Sequence, residues 1–228
     1  MIVRLDEVSR TYTMGEIQVH ALTDVSLSIK RGESVAIMGP SGSGKTTLLN
    51  LIGALDRPTG GRVHIDGVDI TNMSEKDLTN VRREKISFVF QFFNLLPVLS
   101  AYENVELPLL ISGVDEETRK SRVDHLINLV GLAERAEHRP DELSGGEQQR
   151  VAIARALAKP PGSASSIVVL ADEPTGDLDS TTGEEIMKVL IELTKGEGGT
   201  LICVTHDPDV GQKMDRVLMM RDGLITNA

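Results

Sequence analysis

The 228-residue chain reads as one α/β domain, built on a mainly parallel sheet and carrying a mostly helical insert from about residue 94 to 139. Three observations predict this. Short apolar runs alternate with segments of helical spacing, the pattern of strand and crossover helix. One of these runs, SVAIM over 34–38, leads through the glycine-rich stretch GPSGSGKTT into a leucine-rich segment, a strand, turn and helix in immediate succession. Between Asp115 and Val130 the apolar residues Val123, Leu126, Ile127 and Val130 recur at helical spacing, with charges on the opposite face.

In chain order, Val25, Leu27 and Ile29 alternate with polar residues as a half-buried strand, and Arg31-Gly32 turns the chain into 34–38. A helix follows the glycine-rich stretch. Pro58, Gly60 and Gly61 mark a turn, and 62–65 is a strand running into the tight turn Asp66-Gly67. Ser74, with Asp77 three residues on, starts a short helix reaching Glu84. ISFVF, 86–90, is a strand ending at Gln91, and the apolar stretch after it is broken by Pro97 and Pro108. Beyond the insert, 143–158 is helical, 167–170 a strand, 182–195 a helix, 201–204 a strand, and 217–220 a last strand closed by Arg221-Asp222-Gly223.

Composition excludes several classes. Hydrophobic content of 40% and charged content of 25% are those of a water-soluble globular fold. A net charge of −10 argues against nucleic acid as the main partner, because binding a phosphate backbone needs a basic face. No run of about 18 apolar residues is long enough to span a bilayer. MIVRLDEV lacks the features of a secretory signal. The single cysteine, Cys203, lies within the apolar run LICVT, cannot form an internal disulfide, and reads as a small core residue in a reducing compartment.

The glycine-rich stretch fits the pattern G-x-x-x-x-G-K-[ST] and reads as a phosphate-binding loop. Gly39, Gly42 and Gly44 let successive N–H groups turn inward around an anion, with Pro40, Ser41 and Ser43 between them. The helix beginning near Lys45 aims its unpaired N–H groups at the same place. Lys45 would reach the β and γ phosphates, Thr46 would place its hydroxyl on Mg²⁺, and Thr47, the residue after the pattern, is expected among the nucleotide-binding residues. In IVVLADEPTG, Asp172 and Glu173 stand at a strand end, where ligands bind in open α/β sheets. Asp172 is placed to hold Mg²⁺ through its water shell, and Glu173 to orient or deprotonate an attacking water. His206, at the next strand end, is either a satisfied polar group or a sensor of the γ phosphate. Tyr12, one of only two tyrosines, is either a packing residue or a ring that stacks on a base.

Taken together these residues resemble the ATP-binding subunits of ABC transporters over essentially the whole chain. The resemblance rests on GPSGSGKT, Gln91 in VFQ, Leu143-Ser144-Gly145-Gly146-Glu147, VVLADE, Gly176-Asp177-Leu178-Asp179 and His206 in VTHD. It implies a phosphate-loop NTPase core, formed by residues 1–93 and 140–228, with an N-terminal antiparallel β part and the helical subdomain between. It implies ATP and Mg²⁺ as cofactors, and hydrolysis of ATP to ADP and phosphate. It also implies a head-to-tail homodimer, in which Ser144, Gly145 and Gly146 of one copy cap the γ phosphate held by the loop of the other. By the same resemblance Tyr12 stacks on adenine, Gln91 touches Mg²⁺ or the attacking water, and Asp179 communicates across the dimer. Separate transmembrane permease subunits would receive the helical insert on the cytoplasmic face of the membrane. MGPSGSGKTTLLNLIGALDRPTGG, VFQFFNLLPVLSAYENVELPL and ADEPTGDLDSTTG look most like the lipoprotein-release and macrolide-export branch.

One departure is the stretch Lys159–Ser166, longer than the family usually has and read as a surface loop from its Pro, Gly and Ser content. Two other readings stay open at this level. One is a soluble ABC ATPase acting on DNA or the ribosome, which the chain's acidity and its lack of a coiled-coil or zinc module oppose. The other is a small-molecule kinase with the helical insert as lid, which leaves LSGGE and His206 without a role.

Overall fold

A computed structural model describes residues 1–160 and 167–227. Two sheets form the body. The first is antiparallel, in the order β2-β1-β4-β5, from β1 (Val3–Met14), β2 (Ile17–Ile29), β4 (Gly60–Ile65) and β5 (Val68–Asp69). The second runs β10-β9-β3-β8-β7-β6. In it β3 (Ser34–Met38), β6 (Ile86–Phe90), β7 (Val168–Asp172), β8 (Thr200–Val204) and β9 (Arg216–Arg221) are parallel. The expected α/β class, with its mainly parallel sheet and N-terminal antiparallel part, is the one observed. The last strand is not β9, however: the Asp222-Gly223 turn returns the chain as β10 (Leu224–Asn227), antiparallel to β9.

The parallel strands are apolar on both faces because a core lies on each side. Val168 and Leu170 of β7 face a core shared with α1 (Lys45–Ile52) and the antiparallel sheet, alongside Val35, Ile37, Ile202 and Val204. Val169 and Ala171 face the other core, with Ala36, Leu201 and Cys203, built from α3 (Ala101–Ile111), α4 (Glu116–Leu129), α5 (Gly145–Leu157) and α6 (Ser180–Gly196). Alternation along one strand thus feeds two separate interiors. Cys203 is fully buried, and burial pushes its thiol pKa up, so it remains an inert core residue.

α2 (Glu75–Lys85) starts where Ser74 accepts from the Asp77 N–H. Within 94–139 the chain forms α3, α4 and a short 3₁₀ turn at Ala133–Arg135. Pro108 does not break the chain as expected: α3 runs through it to Ile111. Proline removes one helical hydrogen bond at a cost of about 3 kcal/mol. Here a Ser100–Glu103 capping box fixes the helix start, and fully buried Val105 and Leu109 anchor it on either side of the proline. α4 is capped by Asp115 and buries Val123, Leu126 and Ile127, the stripe that predicted it. Of the longer stretch Lys159–Ser166, residues 161–166 lie outside the described residues. Lys159 itself is buried, its ammonium donating to the carbonyls of Arg82, Arg83 and Ile86 at 3.3, 2.8 and 2.7 Å. Among the described residues no helix is long and apolar enough to cross a membrane.

Candidate nucleotide-binding site

Sheet register brings four strand ends to one level. Phe90 of β6 pairs with Asp172 of β7, Asp172 with Val204 of β8, and Val204 with Ile37 of β3. The loops that follow these ends carry Gln91, Glu173, His206 and the glycine-rich stretch, and together they line one cleft of about 590 Å³. A crevice at the carboxyl ends of parallel strands is where such sheets bind ligands.

The glycine-rich loop turns tightly over the end of β3. Gly42 and Gly44 have positive φ, and a Cβ on Gly44 would sit 2.5 Å from the Ala21 carbonyl oxygen, so the loop is pressed against β2. Gly39, Pro40, Ser41, Gly42, Gly44, Lys45, Thr46 and Thr47 line the cleft. Ser43 lies beneath it, 2% exposed, with its backbone carbonyl accepting from Gly223. Lys45 opens α1, and its ammonium folds back onto the carbonyls of Gly39 and Pro40 at 2.8 and 3.0 Å. The cation is thus already at the loop's concave side.

Asp172 and Glu173 are neighbours on one strand end, yet both reach the cleft. The reason is the backbone of Glu173, whose φ of 45° swings its side chain back to the side Asp172 faces. Burial, reinforced by the Glu173 charge, raises the Asp172 pKa, and Lys45 opposes that shift. The neighbouring Thr46 hydroxyl also favours the charged form of Asp172. Glu173 Oε1 lies 2.9 Å from His206 Nδ1, and this hydrogen bond raises the histidine's pKa, stabilising its protonated form. Gln91 lines the cleft opposite and donates through Nε2 to Asp177 Oδ1 at 2.9 Å.

Six expected participants, Ser144, Gly145, Gly146, Glu147, Asp179 and Tyr12, are not among the residues lining this cleft. Ser144 caps α5 in a capping box with Glu147, and the Ser144 donors hold the Glu147 carboxyl below its usual range. Gly145 and Gly146 begin that helix, and a Cβ on Gly146 would sit 2.7 Å from Thr182 Cγ2 of α6. Asp179 caps α6 by accepting from the Thr182 N–H at 3.0 Å. The N-termini of α5 and α6 therefore lie side by side, away from the loop of their own chain. Tyr12 pairs across the antiparallel ladder with Val19, a residue of the cleft rim, and its hydroxyl donates to Asp56 Oδ2 at 2.7 Å.

Sequence reasoning missed the supports. Gln149 of α5 is fully buried, and its Nε2 donates to the Phe90 carbonyl, just before Gln91, and to the Pro174 carbonyl, just after Glu173. Arg155 of the same helix grips the carbonyls of Asn94 and Phe93 at 2.6 and 2.8 Å. The signal was present: Gln149 shares a helical stripe with Ala152, Ile153 and Ala156, all buried. A polar residue on such a stripe needs buried partners.

The family model described as ABC transporter matches residues 22–176. An ABC transporter ATP-binding protein of Methanocaldococcus jannaschii, MJ0796, is 50% identical over 226 residues, covering 97% of this chain and 94% of that protein. A structure described as the dimeric post-hydrolysis state of the MJ0796 ATP-binding cassette bound to ADP and Pi superposes with a TM-score of 0.86, covering 99% of this chain and 97% of that one. The lipoprotein-releasing system ATP-binding protein LolD 1 of Rhodospirillum rubrum is 44% identical over 99% of this chain and 98% of its own length. The macrolide export ATP-binding/permease protein MacB of Bradyrhizobium diazoefficiens is 48% identical over 99% of this chain but only 34% of its own length. The family match and the 50% identity over nearly the whole chain, in a protein whose glycine-rich loop and strand-end acids share one cleft, place it in the ABC transporter family as one of its ATP-binding subunits.

Proposed function

We propose that the chain hydrolyses ATP in a head-to-tail homodimer, and that closing and reopening of this dimer drives separate membrane subunits. The observation that carries the reading is a division of labour within one chain. Lys45, Thr46, Gln91, Asp172, Glu173 and His206 converge on one cleft, whereas Ser144, Gly145 and Gly146 present a helix N-terminus elsewhere. A helix start with two glycines offers bare N–H groups to an anion, and a second copy would supply that anion.

In the cleft the loop N–H groups and Lys45 would bind the phosphates. Thr46 and Asp172 fit Mg²⁺, because that ion takes one or two carboxylates, a hydroxyl, waters and substrate oxygens rather than a full protein cage. When bound, Mg²⁺ neutralises charge on the β and γ phosphates. Glu173 orients the attacking water, and His206, held by Glu173, faces the terminal phosphate. Gln91 joins the cleft to the 94–139 segment, which we assign to the permease contact on the cytoplasmic face. The motif regions are most similar to the lipoprotein-release and macrolide-export branch, so we assign to the membrane subunits export, lipoprotein release or mechanotransmission.

The test is solution mass by light scattering of Glu173→Gln with and without ATP. Loss of the carboxylate stalls hydrolysis and leaves binding, so dimer accumulates only with ATP, and Ser144→Tyr in the same chain abolishes it. A variant that binds ATP yet stays monomeric, alone and with its copurified permease, overturns the composite site.

A further inference from the structure

The structure assigns to Arg10 and Asp56 a role the sequence did not suggest: they are positioning residues that hold the Tyr12 ring as a shelf for the nucleotide base and tie it to the far end of the phosphate-loop helix. The inference rests on the reading of Tyr12 as the base-stacking residue. It names what makes that ring a fixed surface.

Both Asp56 carboxylate oxygens are engaged. Oδ2 accepts from the Tyr12 hydroxyl at 2.7 Å, and Oδ1 accepts from the Arg10 guanidinium at 2.7 Å and from the Arg57 N–H at 2.7 Å. The Arg10 guanidinium carbon lies 4.5 Å from the centre of the Tyr12 ring, within cation–π range. Arg10 and Asp56 side chains are 21% and 22% exposed, so the cation is packed between the ring and the segment after α1 rather than solvated above it. Arg10 therefore covers one face of the ring, and only the other face is left for a base. Tyr12 is the cross-strand partner of Val19, which lines the cleft, and opposed residues of an antiparallel pair project to the same side.

Asp56 connects this shelf to the phosphates. The N–H groups of Leu55 and Asp56 donate to the Asn50 carbonyl at 2.9 and 3.3 Å, so the carboxylate rides on the last turn of α1. The N-terminus of that helix carries Lys45 and Thr46. The base shelf and the phosphate loop lie on different elements, β1 and the β3–α1 turn, and Asp56 fixes the span between them. A ring locked by its hydroxyl and by a cation on one face loses little freedom when a purine stacks on it, which is preorganisation.

The experiment is calorimetric titration of the full chain with ATP and, separately, with inorganic tripolyphosphate, which has phosphates and no base. Stacking on an aromatic ring corresponds to about a 5- to 150-fold change in Kd, so Tyr12→Ala should weaken ATP by that range. Arg10→Ala and Asp56→Asn should weaken ATP about three- to tenfold, and Tyr12→Phe, which removes only the hydroxyl, about threefold. Tripolyphosphate binding should be unchanged in all four. Arg10→Lys keeps the charge and should recover part of the loss.

If Tyr12→Ala weakens ATP while Arg10→Ala and Asp56→Asn bind it within about twofold of the parent chain, the stacking reading stands and the positioning role is overturned. Equal weakening of ATP and tripolyphosphate assigns the pair to support of the fold, and also overturns it. Unchanged ATP binding in Tyr12→Ala removes the stacking reading, and with it the inference. Tyr12→Phe keeps the test decisive should Asp56→Asn not fold.

Discussion

Replacing Gln149 with leucine should separate hydrolysis from stability. In the folded chain the Gln149 Nε2 serves two carbonyls, while its Oε1 is buried without a partner. The substitution leaves the Pro174 oxygen with no donor among the described residues, at a cost of about 1–3 kcal/mol. The Phe90 oxygen keeps the Phe93 N–H at 3.3 Å, so its loss is smaller, about 1 kcal/mol or less. Removing the unpartnered Oε1 returns about 1–3 kcal/mol, and leucine suits the apolar stripe. The terms nearly cancel, so urea denaturation should place Gln149→Leu within about 1.5 kcal/mol of the parent. Hydrolysis has no such cancellation. Pro174 follows Glu173, whose positive φ directs the carboxylate into the cleft, and freeing that turn lets the carboxylate wander. A displacement of about 1 Å costs on the order of 100-fold in rate, so phosphate release at saturating ATP should fall about 10- to 100-fold. ATP affinity should hold within about twofold, because no phosphate-loop contact is lost. A kcat within twofold of the parent refutes the argument, as does a stability loss above about 3 kcal/mol, which would show that the carbonyls carry more of the fold than assigned.

Gly176→Ala should slow hydrolysis at little cost to the fold. An added Cβ would sit 2.8 Å from Gln91 Cδ, so the flexible Gln91 carboxamide must leave Asp177, and an expected slowing of about tenfold at an unchanged melting temperature is read from phosphate release and calorimetry. Lys159→Met tests the buried ammonium, whose pKa burial lowers from 10.5 to about 8. Between those values the unfolded chain holds a proton that the folded chain has released. Stability of the parent therefore rises with pH from about 8 to about 10.5, by up to about 1.4 kcal/mol per pH unit. Urea midpoints across that window should rise more steeply for the parent than for Lys159→Met, and parallel curves would contradict the assignment.

Much of the fold was legible because its signals are local. The strand 86–90, the helix beginning at Ser74 and the stripe Val123, Leu126, Ile127 and Val130 each follow from periodicity or a cap. Pro108 misled because its cost is set against packing by residues distant in sequence. β10 escaped notice because a four-residue edge strand carries little pattern of its own. In the site, the residue types of the phosphate loop and the paired acids announced their positions. The hydrogen bonds that aim them did not: Gln149 to Pro174 spans 25 positions, and Tyr12 to Asp56 spans 44. Such pairings are written in the fold's topology, which no single stretch contains.

The central sheet divides the interior in a way that bears on how force could pass through the protein. α1, which begins at the phosphate loop, is packed in one core, and α5, which begins at Ser144, in the other. In the closed pair proposed above, each nucleotide would be gripped by the first core of one copy and the second core of its mate. Tension across each nucleotide would then load one interior of each chain directly, and the parallel strands that lie between the two cores would carry it to the other. Loss of the terminal phosphate would unload four packed bodies together, so a small chemical change at one oxygen could be felt as a displacement of whole layers.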